Sequence, residues 1–257
     1  MKKWLFIIPI TVFLIFAGIF YWKISTSILP DKVLSAEETI LPTPTWKQSI
    51  ILNVKEIPFR ISWAIVDPGQ VELYSNLKAQ QLSEEIKVDK SCQILVNGGF
   101  YSKENTHLGL FITNFETLSE SIQSSLLNGF LWINSNNAYI GSDPDVSSHI
   151  AIQSGPLFML NNELLRLDIK NDEPDRRIVA ATIDDNKLIF LAVYADRAEH
   201  QGPLLSLLPE IIDLFEKQTN INIVDAVNLD GGKHSVFISN YDRLNELEHV
   251  GSYFCIK

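Results

Sequence analysis

The sequence predicts an α+β fold: a mixed, largely antiparallel sheet packed around an amphipathic helix and preceded by one N-terminal transmembrane helix. Three observations support this prediction. Short apolar runs rich in Ile, Val, Phe and Trp recur from residue 50 onward, separated by turn residues. One later segment has an apolar stripe at helical spacing. Strands and helices do not alternate regularly, as a doubly wound sheet would require.

The chain has 257 residues, 46% of them hydrophobic, with 21 basic against 31 acidic side chains and a net charge of −10. This composition is typical of a globular protein and excludes a disordered or collagen-like chain. The acidic balance disfavours a broad basic face, so we expect no nucleic-acid partner.

The N-terminal residues are predicted to form a membrane anchor. Residues 4–22 carry no charge, and at roughly 1.5 Å per residue a helix of this length spans a bilayer core. Lys2 and Lys3 favour a cytoplasmic N-terminus. We therefore expect a single-pass anchor over residues 1–23, with the rest of the chain outside the cytoplasm. A cleaved secretory signal is the alternative, although the small residues 25–27 make a weak cleavage site.

A tether is predicted next, over residues 24–48, because this stretch contains three prolines and no sustained apolar period. Residues 49–257 then form the exterior domain. Cys92 and Cys255 would lie in an oxidising compartment under this topology and could pair. Two buried thiols on separate strands are the alternative, because the sequence does not show whether their Cα atoms are close.

The strands expected from the apolar runs are residues 59–66, 70–74, 93–96, 109–112, 129–133, 150–153, 178–183 and 188–194. Turn residues 67–69 link the first two runs, and residues 184–187 link the last two. Both links are typical of hairpins, so we expect antiparallel pairing across each.

The clearest helix follows these strands. Its apolar stripe consists of Leu204, Leu207, Leu208, Ile211, Ile212 and Phe215. Pro209 is tolerated if Ser206 caps a helix in which the proline occupies the first turn; a kink is the alternative. A weaker helix is predicted over residues 77–88, capped by Ser75 or Asn76.

Three stretches break the strand pattern in the way a binding site does. An apolar strand ends in Asn97-Gly98-Gly99, another ends in Asn228-Leu229-Asp230-Gly231-Gly232, and a third turns sharply at Ser154-Gly155-Pro156. Glycines at strand ends permit close approach of the backbone to a ligand, and successive N–H groups there can bind an anion. Ordinary turns are the alternative for each stretch taken alone.

Taken in chain order, these motifs are specific. The set is Asn97-Gly98-Gly99-Phe100-Tyr101, Gly109 between two leucines, Ser154-Gly155-Pro156, Arg177 before a small-residue strand, and Asn228-Leu229-Asp230-Gly231-Gly232 after the amphipathic helix. It resembles the phosphodiester glycosidase family over about residues 60–257. Arg197, followed by Gly202, stands where the family has an arginine between a strand and its helix.

Two departures from the family pattern are visible. Where the family commonly continues its Asp-Gly-Gly motif with Gly-Ser-Ser, this chain has Lys233-His234-Ser235. Ile178 and Ala181 replace a Thr and a Gly of the arginine segment. Either the substrate differs from the family's or the activity has been lost.

The resemblance implies hydrolysis of the bond between a sugar's anomeric carbon and a phosphate that also esterifies a second alcohol. The departing phosphomonoester has a second pKa of about 6, so stabilising charge matters more than protonating the leaving group. A carboxylate beside the anomeric carbon would act as nucleophile or base. Asp230 is the candidate, and Arg177 could hold the phosphate with Lys233 or His234.

The residues expected at the site are therefore Asp230 and Asn97 as catalytic groups, with Gly98, Gly99, Gly155, Arg177, Arg197, Asn228, Gly231, Gly232, Lys233 and His234 contacting the substrate. A second acid stays open between Asp196, Glu199 and Asp225. Asp230 could instead cap a turn, Arg177 could balance the acids at 172, 173 and 175, and His234 could be solvated. We expect no cofactor and no metal; a divalent cation bound by carboxylates near Asp230 is the alternative, although no ligand spacing indicates it.

Local motifs of other enzyme classes are missing from the sequence, including Gly-x-Ser-x-Gly, His-Glu-x-x-His, the Walker loop and Cys-x-x-Cys. Ser75 and Lys78 match Ser-x-x-Lys without its partner motifs. The sequence thus predicts a membrane-tethered extracytoplasmic hydrolase that cleaves glycosyl phosphodiesters in envelope or wall glycans. An inactive glycan-binding or envelope-organising module is the alternative. An amidase or esterase would be favoured only if a nucleophile such as Ser235 faced a histidine.

Overall fold

The computed structural model describes residues 48–257. The anchor predicted over residues 1–23, and all but the last residue of the predicted tether, lie outside the described residues. None of the helices in the described part is long and apolar enough to cross a membrane.

The described residues form three sheets. The seven-stranded sheet has the spatial order β1 (Ser49–Val54), β2 (Ile57–Val66), β13 (Lys187–Ala195), β12 (Arg177–Ile183), β14 (Ile223–Asn228), β10 (Leu157–Leu160) and β11 (Glu163–Leu164). The first five-stranded sheet is β16 (Arg243–Leu244), β15 (Phe237–Ile238), β4 (Ile94–Asn97), β17 (Ser252–Ile256) and β3 (Val71–Ser75). The second is β6 (Glu116–Ser119), β5 (Phe111–Thr113), β9 (Ile150–Ser154), β7 (Gly129–Asn134) and β8 (Asn137–Gly141).

The pairing between these strands is antiparallel throughout the described residues, which confirms the largely antiparallel character of the prediction. The number of sheets differs from it. Alternate residues of β12 are buried on opposite faces, so Ile178 and Ala180 face one apolar cluster while Val179 and Ala181 face another. A sheet that is apolar on both faces needs a layer on each side. The two five-stranded sheets supply one layer.

The amphipathic helix, α2 (Leu208–Thr219), supplies the other layer. Its Ile211, Ile212 and Phe215 are fully buried against the seven-stranded sheet, where the Phe215 ring meets Trp63 edge-on at 5.2 Å. The stripe read from the sequence is therefore confirmed. The helix lies on the outer face of one sheet, whereas the sequence predicted a sheet packed around it.

The start of α2 follows the prediction in part. Pro209 does occupy the first turn. Ser206 makes no cap with its side chain, and residues Leu205–Leu207 form a short 3₁₀ turn before the helix. The Asp172 carboxylate caps this turn instead, accepting the Leu205 and Ser206 N–H groups at 2.8 Å each.

The weaker helix is shorter than predicted. The structure has α1 at Ser83–Lys90, and Asn76 lies outside it. The Asn76 side chain accepts the Gln81 N–H at 3.0 Å and donates to the Val250 carbonyl at 2.9 Å, so it shapes a loop in place of a cap. Ser75 likewise ends strand β3 and caps no helix.

One of the two predicted hairpins is confirmed. Strands β12 and β13 pair directly through the turn at Asp184–Asn186. The predicted pairing across residues 67–69 is wrong. Strand β2 is flanked by β1 and β13, so both its edges are occupied, and β3 pairs with β17 in a different sheet.

The two cysteines form a disulfide, which confirms the pairing that the sequence allowed. The Cα atoms of Cys92 and Cys255 are 5.2 Å apart, within the ordinary range for a disulfide. The bond joins the segment after α1 to the C-terminal strand β17, 163 residues away in sequence.

A bond that closes so long a loop is expected to contribute strongly to stability. Replacing both Cys92 and Cys255 by Ala should lower the free energy of unfolding by about 2–5 kcal/mol. Urea denaturation of the purified full-length chain measures this difference. The unchanged protein under a reducing agent serves as the control. If the double variant unfolded at the same urea concentration as the oxidised unchanged protein, the expectation would be wrong.

Candidate active site

The two glycine corners that the sequence singled out lie against each other. The Asp230 N–H donates to the Gly98 carbonyl at 3.1 Å, and the Asn97 side chain donates to the Asp230 carbonyl at 2.8 Å. The Asn97 side-chain oxygen accepts the Val236 N–H at 2.9 Å. Strands β4 and β14 belong to different sheets, so these bonds join two layers at one point.

The third predicted stretch meets the same corner. The Gly155 N–H donates to the Asn228 carbonyl at 2.9 Å, and the Asn228 side chain donates back to the Gly155 carbonyl at 2.9 Å. The Ser154 hydroxyl also donates to the Asn228 carbonyl, at 2.7 Å. A Cβ on Gly155 would overlap the Leu126 carbonyl, so only glycine fits this approach. All three stretches therefore form one structure.

The Asn97 corner is built by internal bonds. The Gly98 N–H donates to the Ser252 carbonyl at 2.8 Å, and the Gly99 N–H donates to the Ser252 hydroxyl at 3.2 Å. A side chain on Gly98 would overlap that hydroxyl. Both N–H groups are occupied by the protein itself, so these glycines serve close packing, and the predicted anion contacts from them have no free donor.

Asp230 occupies the centre of this junction. The residue is 8% exposed, and the Gly231 N–H donates to its Oδ1 at 2.8 Å. Burial raises the pKa of the Asp230 carboxyl to about 7; the bond from Gly231 opposes the shift, and the negative charge of Asp175 adds to it. The carboxyl can therefore exchange a proton near neutral pH.

Asp175 is a second acid beside this turn, and the sequence analysis considered it only as an acid that Arg177 could balance. Its Oδ2 lies 2.5 Å from where a Cβ on Gly232 would stand, and its Oδ1 accepts the Arg176 N–H at 2.9 Å. Its charge acts on Asp230. The available signal was its position two residues before Arg177, in the segment that resembles the family's arginine motif.

The three acids considered from the sequence occupy other places. Asp196 pairs with Arg60 at 2.6 Å, and Asp225 accepts the Thr182 hydroxyl at 3.0 Å. Glu199 is exposed in the loop after β13. The charges of these three acids are not among the causes of the raised pKa of Asp230.

The adjacent arginines have different environments. Arg177 donates to the carbonyls of Pro203 and Glu173 through Nε and Nη2 and lies 3.7 Å from Asp172, so these two nitrogens hold two neighbouring loops. Its Nη1 lies 3.8 Å from the position that a Cβ on Gly231 would take. Arg176, which the sequence analysis did not select, is 2% exposed.

Arg176 clamps the Asp-Gly-Gly turn. Its Nε donates to the Gly232 carbonyl at 2.8 Å, and its own carbonyl accepts the Gly232 N–H at 2.9 Å. Its Nη2 is sealed from solvent and has no hydrogen-bond partner within residues 48–257. Gly232 has a φ of 63°, the left-handed region in which glycine is least strained.

Lys233 and His234 follow in a 3₁₀ turn and contact different partners. The Lys233 side chain is 66% exposed and pairs with Glu248 at 2.9 Å. The His234 Nδ1 lies 3.2 Å from the Tyr101 hydroxyl and 3.0 Å from the His249 carbonyl. Burial raises the pKa of Tyr101, and the negative charges of Asp230 and Glu248 add to that shift.

A closing segment, residues 245–249, completes the site through main-chain atoms. The Asn245 carbonyl accepts a bond from Arg176 at 2.7 Å, and the His249 carbonyl accepts the Tyr101 hydroxyl at 3.0 Å. The N–H groups of residues 247 and 248 both donate to the Lys233 carbonyl, at 2.7 and 3.1 Å.

Two predicted features are not brought to the site by any recorded contact. Arg197 is exposed, and it makes no hydrogen bond or ion pair within the described part of the chain. Gly202 instead packs against the backbone of Asp175. Ser235 is fully buried, and its hydroxyl has no histidine partner among the described residues. Residues 48–257 also hold no group of three or more side chains that could ligate a metal.

Comparison with known proteins places these features in a class of hydrolases. A family model described as phosphodiester glycosidase matches residues 90–256. The chain belongs to this family, which confirms the resemblance read from its motifs. A search of curated proteins found no match.

Solved structures share the fold at low sequence identity. One is the catalytic domain of zebrafish N-acetylglucosamine-1-phosphodiester alpha-N-acetylglucosaminidase, described as auto-inhibited by its pro-peptide; it is 15% identical, with 81% of each chain covered and a TM-score of 0.57. Another is a hypothetical protein from Synechocystis, 10% identical, with a TM-score of 0.55. That match covers 81% of this chain and 61% of the other.

Proposed function

We propose that this protein hydrolyses the bond between the anomeric carbon of a sugar and the phosphate of a glycosyl phosphodiester. The observation that supports it most is the position of Asp230. This buried carboxyl, with a pKa of about 7, lies where the three family motifs meet. Family membership supports the same reaction class.

In the proposed reaction, the ionised Asp230 stabilises positive charge on the sugar as the carbon–oxygen bond to phosphate breaks. Its desolvated charge is worth more here than it would be in water. Asp230 acts either as the nucleophile or as the base that takes a proton from the attacking water. The phosphomonoester leaves with the bonding electrons, and the sugar is released with a free anomeric hydroxyl. Asp175 favours the protonated form of Asp230 through its charge.

Positive and hydrogen-bonding groups for the phosphate would come from the turn that follows Asp230. His234 lies beside Tyr101 at the edge of the buried acid, and Lys233 is exposed next to it. Arg176 holds the turn in place by donating a hydrogen bond to the Gly232 carbonyl. We propose Arg176 as a positioning residue, while the part that Arg177 and Arg197 take in phosphate binding stays a prediction.

The proposed setting is the outer surface of a membrane, with envelope or wall glycans as substrates. The uncharged residues 4–22 and the preceding lysines support a single-pass anchor. The disulfide between Cys92 and Cys255 supports an oxidising compartment. Digestion of intact cells with an external protease tests this: the domain should be cleaved without lysis, and protection until lysis would contradict the topology.

The reaction is tested with the purified full-length chain and a methyl phosphodiester of N-acetylglucosamine, in which one phosphate joins the sugar C1 to a methyl group. Release of the phosphomonoester supports the proposal. We use this probe because the zebrafish structure is named for a phosphodiester of this sugar.

The second candidate function is a glycan-binding module without catalysis. It is favoured by one observation: the turn that is Gly-Ser-Ser in the family carries two bulky side chains here, each bound to a neighbour. If these side chains block the site, the double variant Lys233→Gly, His234→Ser should gain hydrolysis that the unchanged chain lacks. Loss of activity in the double variant would instead assign both residues to substrate binding.

A further inference from the structure

A second pocket, of about 550 Å³, lies outside the site described above. Its lining residues come from the end of β3, the loop that follows, the loop before β5, and β6: Ser75, Leu77, Lys78, Asn105, Thr106, His107, Leu118 and Ser119. None of them takes part in the proposed reaction.

His107 forms one part of the pocket wall. Its ring is stacked on Phe111 with centroids 3.7 Å apart, and its Nε2 lies 2.9 Å from the Ser75 hydroxyl. Burial lowers the pKa of His107 to about 4, so the ring is neutral at physiological pH. Ser75 and His107 therefore present a fixed, uncharged hydrogen-bonding pair to the pocket.

The charge of the pocket differs from that of the chain. Lys78 is exposed and has no acidic partner within ion-pair distance in residues 48–257, and the described lining includes no acid. The whole chain carries a net charge of −10. A pocket in an acidic protein that combines one lysine, three hydroxyl groups and the apolar side chains of Leu77 and Leu118 suits a ligand such as a glycan, with hydroxyl groups, apolar ring faces and a negative charge.

The pocket adjoins the Asp230 site through two connections. Tyr101 and His107 form an antiparallel bridge, so one short loop contributes to both places. Ser75 pairs with Ser252, and the carbonyl of Ser252 in turn accepts the Gly98 N–H, so the ends of β3, β17 and β4 lie side by side. The pocket and the Asp230 site are therefore neighbours along the backbone.

We propose that this pocket is a subsite for a second glycan unit of the substrate, one that bears negative charge and lies beyond the glycosyl phosphate itself. The inference rests on the proposed function. Such a subsite would favour phosphodiesters of charged oligosaccharides or polymers over phosphodiesters of a single sugar. Ser75 and His107 recognise hydroxyl groups, and Lys78 binds the charge. No acid among the described lining residues orients the His107 ring, so we assign this pair to recognition and not to nucleophilic attack.

Kinetics with two substrates test the subsite. One is the methyl phosphodiester above, and the other is a disaccharide 1-phosphodiester that carries a second phosphate. Lys78→Ala should raise the ratio of KM for the long substrate to KM for the short one by about 3–10-fold, since a charge-assisted contact at an exposed site is lost. Lys55→Ala, at an exposed lysine in the turn between β1 and β2, is the matched control and should keep the wild-type ratio. An unchanged ratio in Lys78→Ala would overturn the proposal.

A binding measurement separates this inference from the proposed reaction. Calorimetry with the charged disaccharide probe on the full-length chain carrying Asp230→Asn should give a Kd that Lys78→Ala weakens by about 3–10-fold, because the lost contact is the same. If the unchanged chain hydrolyses neither substrate but this binding still depends on Lys78, the result supports the subsite and contradicts the proposed function. Binding that Lys78→Ala and Lys55→Ala change equally would overturn the subsite whatever the turnover.

Discussion

Asp230→Asn is expected to lower kcat for sugar phosphodiester hydrolysis by about 10³-fold. The substitution keeps the size of the side chain and an oxygen to accept the Gly231 N–H, but it removes the charge that the proposed reaction needs. Loss of a buried charge from the reacting centre typically costs about 4 kcal/mol of transition-state stabilisation, which corresponds to this factor. Release of phosphomonoester under saturating substrate measures it.

Asp225→Asn is the matched control for this prediction. Asp225 lies on β14, the strand that leads to Asp230, but its carboxylate accepts the Thr182 hydroxyl and the Asn161 N–H. It should retain the wild-type kcat. If Asp230→Asn retained the rate while keeping the wild-type circular dichroism, Asp230 would not be the catalytic carboxylate.

The same substitution is expected to change the pH dependence of stability. The pKa of Asp230 is raised from 3.8 to about 7 by folding, so between these values the folded state holds a proton that the unfolded state has lost. The contribution of the Asp230 carboxyl to the free energy of unfolding is fully present below about pH 4 and is lost as the pH rises through 7. With about 1.4 kcal/mol per pKa unit, the loss reaches about 4 kcal/mol at most.

Asp230→Asn cannot ionise, so it removes this loss. The variant should gain stability relative to the unchanged protein as the pH rises from 4.5 to 8, as measured by urea denaturation at both values. The difference between the two proteins isolates Asp230, because the other titrating groups are shared. Parallel stability curves would mean that the carboxyl has an ordinary pKa.

Local sequence patterns predicted the parts of this fold that depend on neighbouring residues. The stripe of α2 and the β12–β13 hairpin are set within about 20 residues, and both were found. The pairing of β3 with β17 joins residues at opposite ends of the domain, and no local pattern indicates such a partner. The 67–69 turn therefore predicted a hairpin that the occupied edges of β2 exclude.

The candidate site follows the same division. The glycine corners were predictable because close backbone approach leaves a visible signature, a run of small residues after a strand. The choice between Arg176 and Arg177 was not, since neighbouring residues of an extended chain project to opposite sides. The sequence selected Arg177, whose Nε and Nη2 hold neighbouring loops, and left out Arg176, which holds the Gly232 turn. The part that Arg177 takes in substrate binding stays a prediction. Asp175 was considered only as a charge partner of Arg177, because its place beside Gly232 is set by the fold.

Apart from side-chain contacts such as the Glu248–Lys233 ion pair, the closing segment contacts the site through its backbone, which affects how this region can vary among relatives. Peptide carbonyls and amides are common to every residue type except for the missing amide of proline. Substitutions at the exposed Asn245 and Leu247 should therefore be tolerated more readily than a one-residue deletion. A deletion would shift every carbonyl away from Arg176 and Tyr101 at once. In related chains, selection here should act on loop length more strongly than on amino-acid identity.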